Sequence, residues 1–387
     1  MIARHIGVQK PRNSALLRYR RVTPFGAAVA AIAVVVAIVA ACVDIPMGDG
    51  PRKRMLRDVA ENVIAPQHEE LAERAAEMRG AVDALIAAPD EARLEVAQAA
   101  WRAAREPWQA SMVFRVGPVM EDLFDSRMDQ WPVDRARIET EIAGTAELTT
   151  AYVGGLGANK KGFHAVEELL FDAEGGDAAV IDALTTGANA DRRRAYLAAA
   201  ATVLATDAAA LDAAWRADGG AFVVNVADIG GAGPFATVKD ATDAVVNEMV
   251  FLSEYVADAR LGKPMGKQNG GVPQLDLVVS APSDASIDDM LANLRGIEAA
   301  FDGTDAGGLG ALVERTSPTT ARRVRTELAA AQAAVAAIPR PFAASVAAQA
   351  PEVDAAWEAT RALRLTLATE VISVLGATLS FNDNDGD

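Results

Sequence analysis

Residues 55–88 read MLRDVAENVIAPQHEELAERAAEMRGAVDALIAA. In this stretch Leu56, Val59, Val63, Leu71, Met78, Val82 and Leu85 fall at the three-, four-, seven- and eight-residue steps of one helical face. A strand would need strict alternation of apolar and polar residues, and none is present. Pro66 has no amide hydrogen to give to the preceding turn, so the spacing predicts one long helix, kinked there, that ends near Ala88. The same texture continues outward. Alanine dominates, aromatic residues are only 5% of the chain, and helices are predicted over about 90–114, 134–149, 191–217, 236–260, 286–301, 318–338 and 352–379. The fold class is therefore all-α.

At 387 residues the chain exceeds one ordinary core and has material for two packed units. Ala99-Ala100-Trp101-Arg102-Ala103-Ala104-Arg105 is echoed by Ala355-Ala356-Trp357-Glu358-Ala359-Thr360-Arg361, the mark of a divergent internal repeat. The expected division is a first helical bundle over 55–187 and a second over 188–387. Pro107 interrupts the second helix, Gly117-Pro118 ends it, and Asp134 caps the third. Residues 261–286, rich in Gly, Pro and Ser, are predicted to cross between elements in extended form.

The first 41 residues carry Arg4, Lys10, Arg12, Arg18, Arg20 and Arg21 with no acid, followed by an uncharged stretch from Val22 to Ala41. This is the pattern of an export signal. Val39-Ala40-Ala41-Cys42 is similar to a bacterial lipobox, and the chain's one cysteine is Cys42, so lipidation is expected there, with residues 42–54 as a tether. The alternative is an uncleaved anchor helix, since the stretch approaches the ~20 residues that span a bilayer. Either way the protein belongs to the bacterial cell envelope, facing the periplasm and held on the membrane. The whole chain has a formal net charge of −16; without the six basic residues of 1–41 it stands at −22. Such a surface repels nucleic acid and attracts cations. A single cysteine gives neither an intrachain disulfide nor a thiolate metal site.

The chemistry concentrates in Lys160-Lys161-Gly162-Phe163-His164-Ala165-Val166-Glu167-Glu168-Leu169-Leu170-Phe171. On a helix His164 and Glu167 are surface neighbours, able to converge on one cation or water, and Glu168 can join them. Imidazole with carboxylate suits iron, zinc or copper, and His164 could serve as an axial haem ligand. Completing acids would come from Glu121-Asp122-Leu123-Phe124-Asp125. Gly162 acts as a hinge and Arg105 as the orienting partner of a carboxylate. His68 reads as an ordinary helix residue, solvated or packed. Peptidase chemistry finds little support: there is no His-Glu-x-x-His pair and no Gly-x-Ser-x-Gly elbow, serine chemistry would have only His164 as its base, and Glu167 is the catalytic residue expected if the chain were a peptidase.

The run from Gly162 to Phe171 resembles the Gly-x-His-x-x-Glu signature of the imelysin family, also known as insulin-cleaving membrane proteases. Three further segments resemble it in the right order. They are Trp101 to Pro118 with the following Trp131-Pro132, Leu261 to Gly266 with Gly270-Gly271-Val272-Pro273, and Leu375 to Asp387. The resemblance covers about 55–387. It implies two repeat-related helical bundles with the signature helix near their interface, and an exported lipoprotein that binds a metal ion or metal-bearing ligand in iron or haem acquisition, alongside iron-uptake components. A metallopeptidase is the first alternative and a non-catalytic interaction scaffold the second. Where many members carry a glutamate, this chain has Met112, so one carboxylate of their set is missing.

Overall fold

Helix α2 (Ala65–Ala87) lies between α3 (Glu91–Ser111) and α7 (Ala190–Trp215), and these two interfaces are the most extensive in the protein. The coordinates are a computed structural model that describes residues 49–220, 222–227, 235–304 and 307–380. Among them there is helix and turn but no strand. Leu71, Met78, Val82 and Leu85 are fully buried, which explains why the periodic stripe of 55–88 is apolar. Pro66 sits in the first turn of α2, directly behind a π-helical stretch, Val59–Ile64. A widened turn there removes the need for the hydrogen bond that proline cannot make.

Eight further helices position the site and the second group. They are α1 (Asp49–Asp58), α4 (Phe124–Asp129), α5 (Arg135–Ala143), α6 (Gly162–Leu170), α8 (Val238–Glu254), α9 (Ser286–Asp302), α10 (Pro318–Ala336) and α11 (Pro351–Thr366). A second packed group is formed by α8, α9, α10 and α11, and α9 also lies along α3, joining the two groups. Gly296 on α9 makes that approach close: a Cβ there would stand 2.1 Å from the carbonyl oxygen of Ala110.

Several expectations change. Residues 49–54 are part of α1 rather than a tether, because Arg52 is buried and donates to the carbonyl of Leu375 at 2.7 Å, tying α1 to the short helix Ile372–Leu375. The helix α7, assigned by sequence to the second bundle, packs on α2 and α6 in the first group. Its alanines let it lie close to α2, and its leucines fill the space between. The helix capped by Asp134 stops at Ala143, well before Thr149, and Asp134 accepts from the amide of Arg137 at 3.0 Å as expected of an N-cap. Of the 261–286 crossing, the first residues continue α8 as a π-helical stretch, Tyr255–Gly262, and the rest is turns with a short 3-10 segment, Leu275–Leu277. The export signal, Cys42 and the acidic tail after residue 380 lie outside the described residues.

Candidate functional site

The side chains singled out by sequence meet where α3, α4, α6 and α9 come together. On α3, Arg105, Trp108 and Gln109 occupy steps i, i+3 and i+4 and therefore share a face. Helix α6 brings His164 and Glu167, three apart, from the opposite side. Its entry depends on Gly162, which has φ +77° and lies so close to α4 that a Cβ would be 2.3 Å from the carbonyl oxygen of Met128. The predicted hinge is thus a site of close approach and left-handed backbone.

Arg105 is the hub. Its Nε donates to both oxygens of Asp289 at 2.9 Å, and its Nη1 donates to Asp129 Oδ1 at 2.6 Å. Asp129 also accepts from Trp108 Nε1 at 2.8 Å and Gln109 Nε2 at 2.9 Å, and its Oδ1 lies 3.1 Å from His164 Nε2. His164 Nδ1 lies 2.9 Å from Glu167 Oε2. Ser283 closes that end, giving its hydroxyl at 2.6 Å and its amide at 3.2 Å to Glu167 Oε1. Ser280 gives its hydroxyl to Asp289 Oδ2 at 2.8 Å. Phe163, on the same helix, accepts through its carbonyl from Trp101 Nε1 at 3.0 Å.

Burial by itself would raise each of these carboxyls, but the outcomes differ with the partners. Asp129 is held well below the usual carboxylate range by the Arg105 charge and the His164 hydrogen bond, which outweigh burial. Glu167 is also lowered, burial again being outweighed, here by the hydrogen bond and charge of His164. Asp289 is raised, because burial and the nearby Asp129 charge exceed the help from Arg105 and Arg260. Burial and the Arg105 charge work against the imidazolium of His164, yet hydrogen bonds to Asp129 and Glu167 raise it above its ordinary value. The ring is best described as an imidazolium donating from both nitrogens.

This geometry does not fit a metal ion on His164 and Glu167. The two ring nitrogens point to opposite edges, so Glu167 and Asp129 lie on opposite sides and cannot share one cation with the imidazole. Arg105 Nη2, 3.5 Å from Nε2, already supplies positive charge where a cation would sit. Among the described residues no three His, Cys, Asp or Glu side chains are placed to hold a metal. The same engagement of both nitrogens leaves no free lone pair for haem iron. Glu168 turns the other way, with its carboxylate 3.4 Å from Arg135, so the expected third ligand is not in the cluster. Of the acids proposed to complete the set, Asp125 pairs with Arg115 at 2.9 Å instead, and Glu121 and Asp122 are exposed. His68 is packed rather than solvated: it is fully buried against Trp215, with ring centroids 4.9 Å apart.

Sequence reading missed Asp129, Asp289, Ser283 and Arg260. A signal for the first existed, since Asp129 stands two residues before the Trp131-Pro132 already noted, and the Trp131 ring lies 5.0 Å from that of His164. Beside Asp129 opens a cavity of about 680 Å3 lined by Trp108, Trp131, Tyr255 and Arg260 among others, and Met112 contributes to its wall.

A helical signature turn locked between two helix groups defines the class, and the comparisons agree. The Imelysin family profile (Peptidase_M75) matches residues 64–369, and the chain belongs to this family. It is 28% identical over 300 residues to Iron-regulated protein A of Synechococcus elongatus, a match covering 76% of this chain and 77% of that one. The fold is similar to a crystal structure from Parabacteroides distasonis presented as an iron-regulated protein A precursor. There the TM-score is 0.76 at 23% identity, covering 86% of this chain and 97% of the other. It is also similar to an imelysin-like protein from Psychrobacter arcticum, with a TM-score of 0.70 at 16% identity, covering 88% and 100%.

Proposed function

We propose that this is an exported, membrane-tethered binding protein of the bacterial envelope that serves iron acquisition by holding an iron-bearing ligand, not a bare cation. The observation that carries the reading is the pairing of a closed charge network with an open cavity. His164, Glu167, Asp129, Asp289 and Arg105 satisfy one another, while the cavity of about 680 Å3 at Asp129 has the volume of a small-molecule site. The name of the Synechococcus relative supports the link to iron. The basic, then apolar, then Ala-Ala-Cys42 start supports export and lipid attachment. No residue is assigned a catalytic role. The network instead joins α3, α4, α6 and α9 and meets the cavity at Asp129.

The test is equilibrium dialysis of the purified protein with Zn2+, Fe2+, haem and ferric salicylate, read by metal analysis. Stoichiometric retention of the ferric chelate, with no retention of the bare ions, is the expected result. Bare metal bound at one equivalent and lost in His164→Ala would overturn the reading in favour of a metal centre. Cleavage of an unfolded protein that disappears in Glu167→Ala would overturn it in favour of a peptidase.

A further inference from the structure

Two arginines on the cavity wall carry N–H groups that find no acceptor among the described residues. Arg260 is 3% exposed. Its Nη2 donates to Gln109 Oε1 at 3.3 Å, and its Nη1 stands 3.6 Å from Asp289 Oδ2, an ion pair but not a hydrogen bond. Its Nε and Nη1 are buried without a hydrogen-bond partner. Arg115 gives Nη2 to Asp125 at 2.9 Å and leaves its own buried Nε unpartnered. Buried donors are almost always satisfied in folded proteins, so three such N–H donors on two residues that line one cavity call for an acceptor from outside the chain.

The two guanidinium groups are held in parallel fashion. Arg115 lies 4.9 Å from the ring centre of Phe251 and Arg260 lies 5.0 Å from that of Tyr255. Those rings are one helical turn apart and stacked, with centroids 6.3 Å apart and planes within 17°. With their faces against aromatic rings, the guanidinium edges remain for binding, the arrangement that suits a planar oxyanion. Lys263 adds an exposed ammonium at the rim.

We propose that the cavity binds a small organic carboxylate with a planar apolar body, its carboxylate taking the open N–H groups of Arg260 and Arg115. This rests on the cavity used in the functional reading above, but not on iron. The acids that face the site limit the ligand's charge. Asp129 is saturated by donors and Asp125 is held by Arg115, while Asp276 remains at the rim. A monocarboxylate matches that balance better than a multiply charged anion. The volume and the Trp108 and Trp131 walls exceed what inorganic phosphate would fill.

Isothermal titration calorimetry with metal-free salicylate tests this, with inorganic phosphate as the second arm. Saturable 1:1 binding of salicylate is expected, at least tenfold weaker in Arg260→Gln and about threefold weaker in Lys263→Ala. Lys263 is exposed, so its variant carries the test even where Arg260→Gln does not fold. Absence of salicylate binding, wild-type affinity in the variants, or binding of phosphate in preference to salicylate overturns the proposal. Salicylate binding that loading with Fe3+ does not strengthen leaves the proposal standing and removes the iron reading. Ferric salicylate binding that both substitutions leave unchanged does the reverse.

Discussion

The α2–α7 interface around His68 and the junction around His164 each bury a single imidazole completely, yet they treat it in opposite ways. At His68 the ring meets the edge of Trp215, and neither of its nitrogens has a partner among the described residues. Burial then favours the neutral ring and lowers its pKa from 6.5 to about 3. At His164 the same burial is outweighed by two carboxylates, and the pKa rises. The difference teaches that burial does not decide a histidine's charge here; the neighbouring acids do. His68 acts as a hydrophobic residue, and His164 as the cationic bridge between α4 and its own helix.

The largest test of this contrast removes the hub on the His164 side. Arg105→Gln leaves Asp129 and Asp289 buried without their shared guanidinium. A loss of about 3–5 kcal/mol of unfolding free energy is expected, measured by urea denaturation at neutral pH. A loss below about 1 kcal/mol would mean that the network contributes little to joining the helix groups.

The pH dependence of stability sharpens the contrast next. His68 binds a proton more readily unfolded than folded, so its contribution is complete above about 6.5 and is lost as the pH falls toward 3. At pH 5 that loss is about 2 kcal/mol relative to pH 7.5, and His68→Phe should shrink the drop by that amount. His164 runs the other way: its contribution is complete below about 6.5 and fades as the pH rises through its raised folded value. His164→Gln should remove that alkaline decline. Asp129 and Glu167, both lowered, contribute above the usual carboxylate range and lose their effect as the pH falls below it. Denaturation series of wild type and the two variants from pH 4 to 9 measure the two histidine contributions, and parallel curves would break the comparison.

The smallest effect concerns Glu168, one residue beyond Glu167 but paired with the largely exposed Arg135. Glu168→Gln should change stability by less than about 1 kcal/mol. The His164 imidazole resonances, followed by NMR, should titrate as in wild type; a displaced titration would place Glu168 in the cluster after all.

How far the sequence could be read depended on the range of the interaction. Helical spacing, the cap at Asp134 and the end of the second helix ahead of Gly117-Pro118 depend on residues within a few positions of one another and appear as expected, whereas α3 runs through Pro107 without the predicted interruption. Arg105, Gly162, His164 and Glu167 were legible because they sit in segments that resemble a known family. Asp289 was not, since 184 residues separate it from Arg105 and nothing local sets it apart from other acids at the start of a helix. The place of α7 was equally hidden: an alanine-rich helix offers similar faces to several partners, and packing alone selects one.

The sequence by itself determined an all-α chain, the export-like start and the His164–Glu167 pair, because composition, periodicity and i,i+3 spacing are local properties. Only the tertiary structure decided that the pair is locked by Arg105, Asp129 and Ser283, not open to a metal, and that a cavity with two unsatisfied arginines lies beside it. A carboxylate's role depends on which charge faces it across the fold, and that partner comes from residues far away in the chain.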